Sequence, residues 1–183
     1  MLLFSYPAAA MVVHQCPAEE TVSGMDRVDL QNQADDILQN IQWHAQDAYY
    51  NADQLQSFTR NTQISWQTDA SNLTQIKYDV NKMSNELCRL DTIRHDLAPW
   101  QKAEIRRISP TLQLAADNTQ DAILFLNNHQ DDLWLGTYVK YANNLDNLTR
   151  NLVNTVNQAV SYAKVSPEYH NLRHEITSPA VGD

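Results

Sequence analysis

Between residues 30 and 55, apolar or small side chains fall at Leu30, Ala34, Ile37, Ile41, Ala48, Ala52 and Leu55, mostly four and three apart. That spacing returns a side chain to one helix face every second turn and predicts a long amphipathic helix. So narrow an apolar stripe cannot be buried by the helix alone; it needs partner helices. His44, beside Trp43, stands in the seam between Ile41 and Ala48.

Three further seams supply the partners. The second reads Trp66, Ala70, Leu73, Ile76, Val80, Met83, Leu87 and Leu90, and the third Ile105, Ile108, Leu112, Ala115, Thr119, Ala122 and Leu126. The fourth runs Tyr138, Tyr141 or Ala142, Leu145, Leu148, Leu152, Thr155 or Val156, Ala159 and Tyr162. Ser23 or Asp26 can cap the first helix, and Pro99 suits the first turn of the third. Pro110 inside the third predicts a kink near residues 106–109, because it removes one hydrogen bond and crowds the preceding turn. Connections fall at 61–65, 91–98 and 127–136, and Ser166-Pro167-Glu168 predicts the start of a short fifth helix ending near Ile176. Short connections force neighbours antiparallel. The expected fold is all-α: an antiparallel up-down-up-down four-helix bundle with long helices and a short C-terminal fifth helix. Residues 26–165 form the bundle, 1–25 a signal-like apolar segment and leader, and 166–183 the short helix and tail.

Composition changes this picture in one respect. Asn and Gln are abundant and Glu is scarce, although Glu is the better helix former, so packing rather than propensity must hold these helices. The net charge of −9 argues against nucleic acid, which needs concentrated Lys and Arg. Residues 77–107 carry seven of the thirteen basic residues, but the same span holds enough acids to leave only +2, the balance of a mixed solvated face.

The first thirteen residues, MLLFSYPAAAMVV, are too short for a transmembrane helix. They match the second half of a secretory signal, with Ala8-Ala9-Ala10 as a cleavage context. This predicts export, to the periplasm or beyond the cell, and no transmembrane span in the mature chain. Cys16 in the leader and Cys88 in a helix do not make a disulfide framework, and would pair only if the leader folds back.

The bundle expectation allows specific exclusions. The Glu-x-x-His pairs of di-iron bundles, Cys-x-x-Cys-His, His-Glu-x-x-His and glycine-rich phosphate loops do not occur in the sequence. No pair of carboxylates, and no Ser or Cys beside a His, has catalytic spacing, so no catalytic and no cofactor-binding residue is assigned. Counting along the helices puts His44 level with Ile76, Thr119 and Leu145 or Leu148. It is read as a polar pin bonded to Thr119 or water, fixing the bundle's register. His170 and His174, four apart, could share a metal with His95 at the same end of the bundle; docking of an amphipathic helix through Tyr169, Leu172 and Ile176 is the ordinary reading. Trp66 and Trp134 belong to one end and Trp100 to the other, as aromatic caps or as a platform for a partner.

Ser65-Trp66-Gln67, Pro99-Trp100-Gln101, Ile105-x-Arg107-Ile108-x-Pro110 and Tyr162-Ala163-Lys164-Val165 resemble a group of exported helical-bundle proteins of soil bacteria. The resemblance covers most of residues 57–172. It implies export and an all-α fold and carries no catalytic residue across. The function expected from these readings is a non-enzymatic binding or scaffolding module, its amide-rich faces meeting a protein partner or a second copy. A metal- or haem-binding bundle is the first alternative. A small periplasmic stress chaperone is the second, although Leu73-Thr74 and Leu148-Thr149 lead to Lys77 and Leu152 rather than to the Gln of the chaperone signature.

Overall fold

The computed structural model describes Cys16 and residues 27–60, 65–134 and 136–177, with the side chains of Arg27 and residues 166–177 outside that description. The proposed caps Ser23 and Asp26, the rest of the signal-like segment and the tail also lie outside it. The described residues form four helices, α1 (Arg27–Phe58), α2 (Trp66–Thr92), α3 (Pro99–Asn128) and α4 (Gly136–Thr177), and no strand. Each packs along two neighbours, α1 on α2 and α4, and α3 on α2 and α4. The fold is an all-α four-helix bundle.

Polar contacts between helices give its directions. Gln42 meets Asn157, while Tyr49 lies under Arg150. Moving up α1 therefore moves down α4. Arg107 bonds Gln158 and Asn118 bonds the Tyr141 carbonyl, so α3 and α4 are antiparallel as well. At the opposite end from the α1–α2 turn, Gln31 reaches the Asp96 carbonyl just before α3.

All seven positions of the first seam are buried, and Leu38 and Ala45 join them. The stripe is broader than its spacing suggested because α1 lies between two neighbours and must cover both. Ala34, Ala45, Ala48 and Ala52 are fully buried; with so little side chain between them, helices can approach towards the lower end of the usual 8–10 Å separation. Ala45 holds the core position expected of His44, which sits on the flank towards α2.

One expectation about helix ends changes. There is no separate fifth helix: α4 continues through Ser166 and Pro167 to Thr177. α3 runs unbroken through Pro110, whose ring is exposed, with Ile105, Ile108 and Leu112 buried on either side of it. At its start, Gln101 accepts a hydrogen bond from the Ala98 backbone N–H, the half of a capping box that an alanine at the cap position permits. No described helix is long and apolar enough to cross a membrane.

The cysteines are joined, the pairing that the sequence allowed only if the leader folds back. Cys16 and Cys88 form a disulfide with their Cα atoms 5.1 Å apart, across 72 residues of sequence. The chain at Cys16 therefore returns to the second half of α2. Closing a loop of that length in the unfolded chain stabilises the fold by up to about 4 kcal/mol. Reduction, or the double substitution Cys16→Ser and Cys88→Ser, should lower the urea midpoint accordingly while leaving the helical circular dichroism intact. An unchanged midpoint would show that the bond tethers the leader without constraining the bundle.

Candidate functional site

Three features stand out, and only the first centres on a residue given a polar role from sequence. The Nδ1–H of His44 donates to Asp79 Oδ1 at 2.9 Å, and Gln75 Nε2 donates to Asp79 Oδ2 at 3.1 Å. A carboxylate can only accept, so the proton of a neutral His44 sits on Nδ1. Asp79 is 1% exposed and the His44 side chain 26%. The buried carboxylate thus has a donor on each oxygen, and the imidazole edge reaches water. Tyr78 packs edge-on to His44, with ring centroids 6.1 Å apart, and Lys82 lies over the Tyr78 ring.

This corrects the expected pairing of His44 with Thr119. Thr119 is fully buried and donates to the Ala115 carbonyl of its own helix at 2.6 Å. Its neighbour Asn118 contacts α4 at Tyr141, whereas Gln42, near His44, contacts α4 at Asn157. Those two points on α4 are on the order of 20 Å apart at 1.5 Å per residue. Equal counting from helix starts failed because the helices are staggered. His44 and Asp79 resemble part of a catalytic triad, but His44 has its one hydrogen bond, among the described residues, to Asp79. No hydroxyl or thiol is joined to it for activation.

The second feature lies near the α1–α2 turn. Asp69 of α2 is 5% exposed and faces Tyr138 of α4, which is fully buried. The two groups feel each other, yet neither Asp69 Oδ1 nor the Tyr138 hydroxyl completes a hydrogen bond of ordinary geometry. Burial pushes the Asp69 carboxyl up to about 6, with the Tyr138 hydroxyl opposing the shift. Burial and the facing carboxylate push the Tyr138 hydroxyl up in turn. Asn72 Nδ2, one turn along α2, is also buried without a partner. Sequence reading passed over Asp69, Asn72 and Asp79 because it followed apolar residues alone. All three fall on the buried side of α2 with Ile76 and Met83, and the helical spacing of 69, 72, 76, 79 and 83 was the signal available.

The third feature is on the surface. Trp43 and Tyr50 of α1 are each 63% exposed. With Asp29 and Asp36, also exposed, they stand at seven-residue intervals along the outer face of the helix. Asp47, exposed, lies between the two aromatic residues. On the other side of the bundle, a groove of about 430 Å³ between α3 and α4 is lined by Asp117, Asn118, Asp121, Asn144 and Asn147, between Leu114 and Leu148.

His95 is exposed in the α2–α3 turn, and its carbonyl accepts from Lys102 Nζ. The side chains of His170 and His174 lie outside the described residues. Among those that are described, no three His, Cys, Asp or Glu side chains are grouped to hold a metal ion. Trp66 and Trp100 are half-buried against the core, Trp100 also against Tyr162, while Trp134 is 61% exposed. Comparison with protein families, with curated proteins and with solved structures finds no match to this chain.

Two outcomes follow from the buried carboxylates. His44→Leu removes a donor from Asp79 and should cost about 1–3 kcal/mol, whereas His44→Leu with Asp79→Leu should recover most of that loss. Urea unfolding of the single and double variants measures the coupling directly. At Asp69 the folded-state pKa of about 6 lies above the ordinary 3.8, so the folded chain holds the proton more tightly than the unfolded one. This contribution is fully present below about pH 4 and is lost as pH rises through about 6, a change of up to about 3 kcal/mol. Asp69→Asn should remove that dependence and raise stability at neutral pH; parallel pH profiles for the two proteins would refute the assignment.

Proposed function

We propose that this protein is a non-enzymatic binding or scaffolding module of an oxidising compartment outside the cytoplasm, with the outer face of α1 as its contact surface. The observation that carries the reading is the exposure of Trp43 and Tyr50 on one helix face, two turns apart. Large aromatic side chains left in water are unfavourable for a solitary domain and are the residue types that anchor protein interfaces. The Cys16–Cys88 disulfide supports export, since such bonds persist in oxidising surroundings. The signal-like pattern of the first residues and the resemblance to exported helical bundles point the same way. His44 and Asp79 fit the reading as structural residues, because their hydrogen bonds are spent on each other and on Gln75.

Photo-crosslinking from Gln46, which is exposed between the two aromatics, tests the proposal in the native host. Discrete cross-linked products are expected, and their yield should fall by about tenfold in Trp43→Ala/Tyr50→Ala with the urea midpoint unchanged. The reading fails if the aromatic pair can be removed without altering any product while His44→Ala abolishes an activity.

A further inference from the structure

We infer that the outer face of α1 docks a basic protein segment, its Lys or Arg side chains stacking on Trp43 and Tyr50 and pairing with Asp36 and Asp47. The inference rests on the reading of this face as a contact surface and adds the chemistry of the partner. From Val28 to Phe58, α1 contains no Lys or Arg. Asp36 and Asp47 form no ion pair among the described residues, and Trp43 and Tyr50 make no ring contact there.

The bundle uses the complementary chemistry on one flank of α1, at Tyr49, and on the neighbouring α2, at Tyr78. Arg150 of α4 lies 5.2 Å from the Tyr49 ring centroid, and Lys82 of α2 lies 5.4 Å from that of Tyr78. Tyr49 on α1, and the α2 aromatic that packs on His44, thus each have a cation from within the chain, whereas among the described residues Trp43 and Tyr50 have none. A second copy is a poor source of those cations. Arg89, Arg94, Arg107 and Arg150 are each paired with a carboxylate three or four residues earlier in the sequence, and each chain carries a net charge of −9. Two copies repel, whereas a basic segment is attracted.

Geometry narrows the partner further. Residues seven apart on a helix are about 10 Å apart along its axis, the span of three residues in an extended chain. A segment with a cation at every third position can place successive cations over Trp43 and Tyr50 with Asp47 between them. Arginine suits the site better than lysine, because its planar guanidinium both stacks on a ring and bridges a carboxylate.

The probe is a synthetic peptide of Arg-Gly-Gly repeats, titrated into the full disulfide-bonded chain and followed through the indole resonance of Trp43. Binding that weakens as salt is raised is expected, as is a loss of about tenfold in affinity for Trp43→Ala/Tyr50→Ala, followed in that variant by calorimetry. Asp36→Asn/Asp47→Asn should weaken binding and flatten its salt dependence, while Leu114→Ala/Leu124→Ala on α3 should leave it unchanged. The same peptide with citrulline in place of arginine should not bind. The inference is overturned if the arginine peptide fails to bind, if both α1 variants bind it as well as the parent, or if a neutral oligosaccharide perturbs Trp43 instead. Crosslinking from Gln46 that persists while the peptide fails would leave the contact surface standing and remove its basic partner. Failure of both removes the surface reading as well.

Discussion

A helix that packs through alanine brings its neighbours' backbones close, and α1 does this at Ala34, Ala45, Ala48 and Ala52. At those positions little side-chain volume separates α1 from its neighbours, so the residues on its flanks are pressed against the neighbouring helices. Those flanks are polar, and each contact must be satisfied across the interface. Gln42 meets Asn157 at 2.6 Å, His44 meets Asp79, and Tyr49 meets Arg150. Near the start of α1, the fully buried Gln101 donates to the Gln31 carbonyl and to Asp35 while accepting from the Ala98 N–H. The abundance of amides, unhelpful to helix propensity, therefore has a use in tertiary structure. An amide both donates and accepts without carrying charge, and so tolerates partial burial between helices better than Glu or Lys.

The order and direction of the helices were legible from the apolar seams because burial imposes a period of 3.6 residues on any packed helix. The seams also located Thr119 correctly in the core. They could not place one helix against another along the bundle axis, since nothing in a periodic stripe fixes its stagger. This is why His44 was matched with Thr119 rather than with Asp79. Nor could they reveal Asp69 and Asp79, because an Asp on a seam face is indistinguishable in sequence from one on a boundary until its partner is known. The disulfide was hidden for a related reason: Cys16 lies in a leader whose course no periodicity describes. The end of α4 was misjudged through Ser166-Pro167, a pattern that opens helices and is here crossed by one.

The two buried carboxylates of α2 behave differently because their surroundings differ in donors rather than in depth. Asp79 has a donor on each oxygen, which offsets the loss of water. Asp69 faces a phenol across the bundle diagonal without completing a bond to it, and its carboxyl is pushed up to about 6. One lies at the α1–α2 interface, where close packing supplies partners. The other points into the space between diagonal helices, where partners are further away. The bundle is thus well determined along α1 and under electrostatic tension near the α1–α2 turn, where protonation of Asp69 relieves it.

This division bears on how the surface is presented. Adjacent residues on a helix point about 100° apart, so the rotation that turns His44 to Asp79 also turns Trp43 to solvent. Rolling α1 by one position would swing the indole towards a neighbouring helix and leave Asp79 without its imidazole donor. The cost of the second event, a buried carboxylate short of a donor, opposes the gain from burying the first. The His44–Asp79 pair therefore does more than join two helices: it holds α1 in the rotation that keeps the row of Asp29, Asp36, Trp43 and Tyr50 facing outward. Four of the nine buried apolar positions of α1 are alanine, and Ala45, Ala48 and Ala52 fall beside this pair, so there is little side-chain shape there to resist rotation and the polar lock matters more than it would beside leucine.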